Sequence, residues 1–223
     1  MASKGNKRHI LRLASSKYMK LARKSAPYVM KPKPGRHTID SSIAISTVLR
    51  EKLAVAQDLR EAELMLRAGS VKVNGKVIKS ASYPVGFGDS IELVPSKEHY
   101  HISVMKEGAF ALEKGKEHQH FKIVGKYVTK GSKLMIRLHD GTILPGSKEM
   151  RVGDTVSMKA GKPDQVLHME NGKKCFVMKG THASESGVIK QINPGTSQKS
   201  ALVKIEGSSG EFETLLDNIM VVG

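Results

Sequence analysis

Asp58-Leu-Arg-Glu-Ala-Glu-Leu-Met-Leu-Arg-Ala-Gly69, then Ser70-Val-Lys-Val-Asn-Gly-Lys-Val-Ile-Lys79, and a little later Gly88-Asp-Ser-Ile-Glu-Leu-Val94, are the segments whose reading decides the fold. Asp58 and Glu61 stand at capping-box spacing, so the first orphan amides of a helix find acceptors and a helix is predicted from about Leu59. Ala62, Met65 and Leu66 give it one apolar face, and Gly69 supplies the left-handed residue that ends it. Val71, Val73, Val77 and Ile78 flank Asn74-Gly75, the dipeptide suited to a type I′ turn because both of its central residues need positive φ. A short helix leading into a tight hairpin is therefore expected. Arg60, Lys72, Lys76 and Lys79 would line its polar edge with Asn74 at the turn, an arrangement suited to phosphate oxygens. The same lysines also fit the solvated face of any small domain.

The helix, the Val71-x-Val73-Asn74-Gly75-Lys76 hairpin and the Gly88-Asp89-x-Ile91 strand together resemble the S-four RNA-binding domain of ribosomal proteins and RNA-modifying enzymes. Leu59 and Glu63 stand where that domain often carries arginine.

The 223 residues are enough for one or two domains, or three small ones. A net charge of +16 implies a polyanionic partner. Residues 1–39 hold eleven Lys or Arg and no Asp or Glu, which leaves 26 basic against 21 acidic residues in the remainder, so most of the excess lies on one arm. The single cysteine, Cys175, rules out an internal disulfide or a multi-cysteine zinc site and reads as a core residue. No apolar run reaches membrane-spanning length and no secretory h-region follows the N-terminus, so a soluble cytoplasmic protein is expected.

Along the arm, Ile10, Ala14, Tyr18 and Leu21 fall on one helical stripe, too short to be stable alone in water. An arm that orders on nucleic acid is the expectation, with Lys4, Lys7, Arg8, Arg12, Lys17, Lys20, Arg23 and Lys24 neutralising phosphates. A membrane-surface helix or a transit peptide is the competing reading; the stripe lacks Trp and Phe, and its cations are mostly lysine. Pro27, Pro32, Pro34 and Gly35 make residues 25–37 an extended linker, still basic through Lys31, Lys33 and Arg36. A second helix is predicted from Asp40, with Ile43, Ile45, Val48, Leu49 and Leu53 inward and Arg50 and Lys52 near its end.

Gly86-x-Gly88 precedes a strand, not a helix, so it is a turn and not a nucleotide loop. Short strands are predicted at 100–104, 110–112, 121–128, 134–138, 143–144, 155–158 and 166–169, with Asp140-Gly141 and Asn171-Gly172 as hairpin turns. That spacing favours a small barrel or sandwich. His118, His120 and His139 have no acidic or cysteine partner at ligand spacing, so no metal is expected.

Residues 174–223 form a last β module. Its apolar strand, its Gly-rich loop from Gly180 and the strand after Gly187 resemble the KOW motif, in which loop backbone and basic residues approach RNA. Lys179, Gly180, His182 and Gly187 match; Glu185 is an acid inside the loop, and a plain SH3-like packing module is the alternative.

Gly5-Asn-Lys-Arg-His-Ile-Leu-Arg-Leu-Ala14, Tyr83-Pro-Val-Gly-Phe-Gly-Asp89, Leu138-His-Asp-Gly141, Val152-Gly-Asp-Thr-Val156 and Asp217-Asn-Ile-Met-Val-Val-Gly223 extend the likeness. With the parts above, nearly the whole chain resembles the archaeal and eukaryotic small-subunit ribosomal protein S-four-e family. The resemblance implies a multidomain α+β chain: a basic arm (1–37), an S-four RNA-binding domain (38–95), a central β domain (96–173) and a KOW/SH3-like domain (174–223). It implies a non-enzymatic constituent of the small ribosomal subunit that binds and stabilises rRNA beside neighbouring ribosomal proteins, with no cofactor, membrane or small-molecule substrate. The short length and the lack of C-terminal extensions favour an archaeal source. Arg50, Arg60, Lys72, Asn74, Lys76 and Lys79 would dock the S-four domain, and Lys179, Gly180 and His182 the KOW loop. Ten aromatic residues, placed mostly as strand core, leave little for base stacking. Two rivals remain, a KOW-containing transcription or translation factor and an RNA-modifying enzyme. For the enzyme, Asp140 is the nearest catalytic candidate and fits a turn better.

Overall fold

The computed structural model describes residues 7–22, 24–106, 108–115, 119–159, 162–196, 199–207 and 210–222. The chain is α+β and divides into two compact units, Met1–Ser103 with Ala109–Lys116, and Val104–Gly108 with Glu117–Gly223.

The first unit opens with β1 (His9–Leu11) paired antiparallel to β2 (Tyr28–Met30). The arm is thus a ribbon with two 3-10 turns, Arg12–Ala14 and Lys17–Met19, between its strands, and not one continuous helical stripe. Arg12 explains why: its guanidinium is buried, donating to both Glu51 carboxylate oxygens at 2.7 and 2.8 Å and to the carbonyls of Ala26 and Ala22. Arg12 therefore holds the ribbon, and its expected role as a phosphate ligand is corrected to an internal one.

Next come β3 (Ile43–Ala44), α1 (Ile45–Thr47) running into a π-helical turn (Val48–Lys52), and α2 (Leu59–Arg67). The helix predicted from Asp40 starts later because Ile43 and Ala44 pair with Val85 and Pro84 of β6 (Pro84–Val85), once β4 (Val71–Val73) and β5 (Lys76–Val77) have been made. Ile43, Ile45, Val48 and Leu49 are all buried as expected.

In α2, Ala62 and Leu66 are fully buried, Met65 partly, and Gly69 ends the helix at φ +74°. The capping box is displaced by one residue: the Asp58 side chain makes no cap bond, and the Glu61 carboxylate accepts the Gln57 N–H at 2.8 Å. A carboxylate still faces the positive end of the helix. Asn74 and Gly75 take φ +49° and +76°, the positive pair that a type I′ turn requires.

With β7 (Ser90–Leu93), β8 (Glu98–Val104) and β9 (Phe110–Lys114), the unit forms a five-stranded sheet in the order β5-β4-β7-β8-β9. Tyr100 and Ile102 of β8 face its buried side, and β8 pairs with β7, so the boundary expected at residue 96 falls within this sheet.

The second unit contains two five-stranded antiparallel sheets. Strands β10 (Gln119–Val128), β11 (Leu134–Leu138), β12 (Ile143–Pro145), β13 (Thr155–Lys159) and β14 (Lys162–Leu167) are ordered β12-β11-β10-β13-β14 over Phe121, Ile123, Ile136, Leu138 and Val156. Strands β15 (Lys174–Val177), β16 (Ser186–Asn193), β17 (Leu202–Gly207), β18 (Gly210–Leu215) and β19 (Ile219–Val221) are ordered β18-β17-β16-β15-β19 over Val177, Ile189, Val203, Ile205 and Ile219. Cys175 lies in that second core, where burial pushes its thiol up to about 11.

Asp140-Gly141 joins the paired strands β11 and β12 as expected. Asn171-Gly172 does not make a hairpin, because β14 and β15 belong to different sheets. The strand expected over 166–169 stops at Leu167, since Asp154 accepts the Met169 N–H at 3.1 Å and holds His168 Nδ1 at 2.9 Å. Among the described residues no His, Cys, Asp and Glu cluster could hold a metal, and no helix is long and apolar enough to cross a membrane.

Candidate nucleic-acid interface

The hairpin after α2 is fixed from beneath by one buried carboxylate. Asp89 Oδ2 accepts the Gly86 N–H at 3.0 Å and lies 2.8 Å from His37 Nε2, while Oδ1 accepts from Asn74 Nδ2 at 2.6 Å. Burial acts to raise the Asp89 pKa, but the His37 hydrogen bond, the charges of His37 and Arg36 and the Gly86 N–H outweigh it and leave the carboxyl below its ordinary value. Gly86 is needed here because a Cβ would lie 2.6 Å from the His37 ring. Asn74 Oδ1 also accepts the Ser90 N–H at 2.8 Å, so both ends of its amide face inward and set the hairpin's position. Asn74 thus holds the hairpin backbone from within.

On this rigid frame Arg60, Lys76 and Lys79 are exposed. Lys72 is half-buried, 3.6 Å from Glu92 across the strand pair, and Arg50 Nε reaches the Gln57 carbonyl at 3.4 Å. Of the arm's cations, Lys7, Arg8, Lys17, Lys20, Lys24 and Lys33 are exposed, and Lys31 and Arg36 are half-buried. Lys4 and Arg23 lie outside the described residues.

From sequence, Lys52 is a helix-end charge placed where a helix pair could present it beside the hairpin. Its Nζ reaches the Lys20 carbonyl at 3.4 Å, and its pKa is lowered by burial and then by the Lys20 charge, with Glu51 opposing. Because Glu51 is already bonded to Arg12, this lysine pair is a place where a phosphate would relieve repulsion. The two cations lie 32 residues apart, and no local pattern joins them.

In the second unit, Lys179 and Gly180 are exposed, with Gly180 at φ +100°. His182 stacks on Phe212 at 4.2 Å between ring centroids, and its Nδ1 lies 3.5 Å from Glu185. Glu185 therefore faces the imidazole of its own loop. Gly187 lets β16 and β17 approach, since a Cβ there would lie 2.5 Å from the Glu206 carbonyl oxygen.

The family model for the S4 domain matches residues 53–91, the span from the end of the π-helical turn to β7. Frame, hairpin and match together define the class: an α+β chain built on an S4 domain. The small ribosomal subunit protein eS4 of Methanocella arvoryzae is 32% identical over 96% of this chain and 94% of its own length. Its counterpart in Thermoplasma volcanium is also 32% identical, over 95% and 91%. The crystal structure of the 30S ribosomal protein S4e from Thermoplasma acidophilum superposes with a TM-score of 0.69 at 26% identity, covering 82% of this chain and 96% of that one. The chain belongs to the small ribosomal subunit protein eS4 family.

Proposed function

We propose that this protein is a structural, non-catalytic constituent of the cytoplasmic small ribosomal subunit that binds its rRNA and neighbouring ribosomal proteins. The observation that carries the reading is the exposed set Arg60, Lys76 and Lys79 on a hairpin immobilised by Asp89, within the span matched by the S4 domain. Fixed cations contact phosphates with little ordering cost, and the same chemistry needs no catalytic group. Full-length kinship to eS4 proteins supports the assignment to the ribosome. In this reading the S4-type unit includes the ribbon and extends through β9, followed by a central β domain and a KOW/SH3-like domain divided near residue 173. Lys7, Arg8, Lys17, Lys20, Lys24, Lys33 and Lys52 add an electrostatic anchor, and Lys179, Gly180 and His182 a loop contact.

Chemical footprinting of small-subunit rRNA with the intact chain, repeated across salt concentrations, tests this. Localised protection is expected, with affinity falling by roughly 10³ to 10⁵ between 50 and 200 mM salt if some 6 to 10 phosphates are contacted, and somewhat less on RNA than on duplex DNA. Diffuse protection or a flat salt response overturns it.

A further inference from the structure

The outer face of the β10-β11-β12 ribbon carries an exposed aromatic and an exposed guanidinium side by side. On β10, Phe121 and Ile123 point into the core. The register then shifts between Ile123 and Gly125, so Gly125 and Tyr127 pair with Arg137 and Met135, and these in turn with Ile143 and Pro145. Paired residues share a face, and this one is the outside: Tyr127 is 40% and Ile143 50% exposed, and Arg137 and Pro145 are exposed. A Cβ at Gly125 would lie 3.7 Å from an Arg137 Nη, so the guanidinium extends over bare backbone. Among the described residues no hydrogen bond or ion pair engages it, and no aromatic partner covers Tyr127.

Charge identifies the occupant. From Gln119 to Lys148 the chain has six Lys or Arg, of which Lys122 is buried and Lys126 is bonded to the Lys148 and Met150 carbonyls, and one acid, Asp140. That carboxylate is buried, accepting from the Thr142 N–H and hydroxyl. Lys130 and Lys133 are exposed on the tight β10–β11 turn, which is closed by the Thr129 N–H to Lys133 carbonyl bond at 2.9 Å. Planar groups flanked by cations with no exposed acid suit unstacked bases and their phosphates, whereas an apolar protein patch gains nothing from the lysines.

We propose that this face is a second RNA-contact surface that takes single-stranded nucleotides, stacking bases on Tyr127 and Arg137 while Lys130 and Lys133 meet the backbone. It rests on the RNA-binding reading above but places a distinct, unpaired-strand specificity on the second unit.

The test uses the full chain, an unstructured RNA of about 12 nucleotides carrying 4-thiouridine, and an RNA duplex, both at 200 mM salt. Photo-crosslinking to the peptide containing Tyr127 is expected. Tyr127→Ala with Arg137→Ala is expected to weaken single-strand binding at least about tenfold, as loss of a stacked base does, and to leave duplex affinity and the thermal midpoint unchanged, because both side chains lie outside the core. Unchanged single-strand affinity, or crosslinks confined to the first unit, overturns the proposal while leaving rRNA binding intact. So does the opposite pattern, in which RNA affinity holds but the variant is retained less well in reconstituted subunits, since that assigns the face to a protein neighbour. Failure of the wild type to bind the single-stranded RNA also overturns the proposal, and the footprinting on small-subunit rRNA decides the reading beneath it separately.

Discussion

The hairpin after α2 and the outer face of β16–β18 carry similar numbers of lysines and use them in opposite ways. On the hairpin, Lys76 and Lys79 are exposed, and the Asp89 carboxylate that holds the turn is buried and bonded to His37, Asn74 and Gly86. On the terminal sheet, Lys190 lies between Glu206 at 3.3 Å and Glu211 at 2.5 Å, and Lys204 lies 3.3 Å from Glu213. The Glu211 hydrogen bond first, then that of Glu206, raises the Lys190 pKa, so the amine is charged but locally compensated. A net charge of +16 therefore does not describe a uniformly attractive surface. What matters for a polyanion is which cations the fold leaves without a carboxylate beside them.

The largest departure from that division is Arg12, a cation of the basic arm held entirely inside. Its side chain is 4% exposed against 20% for Glu51, and removing it would leave a carboxylate without its partner in a mostly dry site. Arg12→Ala is expected to cost about 3 kcal/mol in urea unfolding, the lower end for a broken buried pair because Glu51 keeps some water. Combining it with Glu51→Gln recovers much of the loss if the pair is the cause. A cost below about 0.5 kcal/mol would return Arg12 to the phosphate-binding set.

Lys122 is a second internal cation, with weaker compensation. It is 3% exposed, donates to the Leu216 carbonyl at 2.5 Å, and burial lowers its pKa to about 8, opposed only by the charge of Asp217. An unfolded lysine keeps its proton to about pH 10.4. Between these values the unfolded state binds more protons, so stability rises with pH, and the destabilisation is fully present below pH 8. Wild-type stability minus that of Lys122→Met is expected to increase by about 3 kcal/mol across this window, other lysines cancelling in the difference. A flat difference would mean that Lys122 is solvated and belongs with the surface cations.

Local features of this division were legible in the sequence, and long-range ones were not. The α2 helix, its Gly69 terminator, the Asn74-Gly75 turn and the strand Leu134–Leu138 follow from spacing and turn chemistry and are found where expected. Arg12 was misread because sequence gives a charge but not its burial, and its partner lies 39 residues away. The ribbon was missed for the same reason, since β1 and β2 close over a gap that periodicity does not bridge. The register shift at Val124 turns Tyr127 outward on a strand that the sequence places correctly over 121–128, and no residue type announces it. The Lys20 and Lys52 approach likewise depends on the fold alone.

The contrast between the hairpin and the terminal sheet is tested most directly at equal charge. Lys76→Ala with Lys79→Ala removes two cations from the hairpin, and Lys190→Ala with Lys204→Ala removes two from the terminal sheet. All four side chains lie at the surface, so folding stability is expected to change by less than about 0.5 kcal/mol in either variant. The hairpin variant is expected to reduce the slope of log affinity against log salt for small-subunit rRNA by about 2, roughly one per lost phosphate contact. The terminal-sheet variant leaves that slope unchanged, because no counterion is released where Glu206, Glu211 and Glu213 already hold the amines. Equal losses in the two variants would mean that RNA binding follows total charge, and the rigid frame built on Asp89 would then have no part in choosing where the RNA lies.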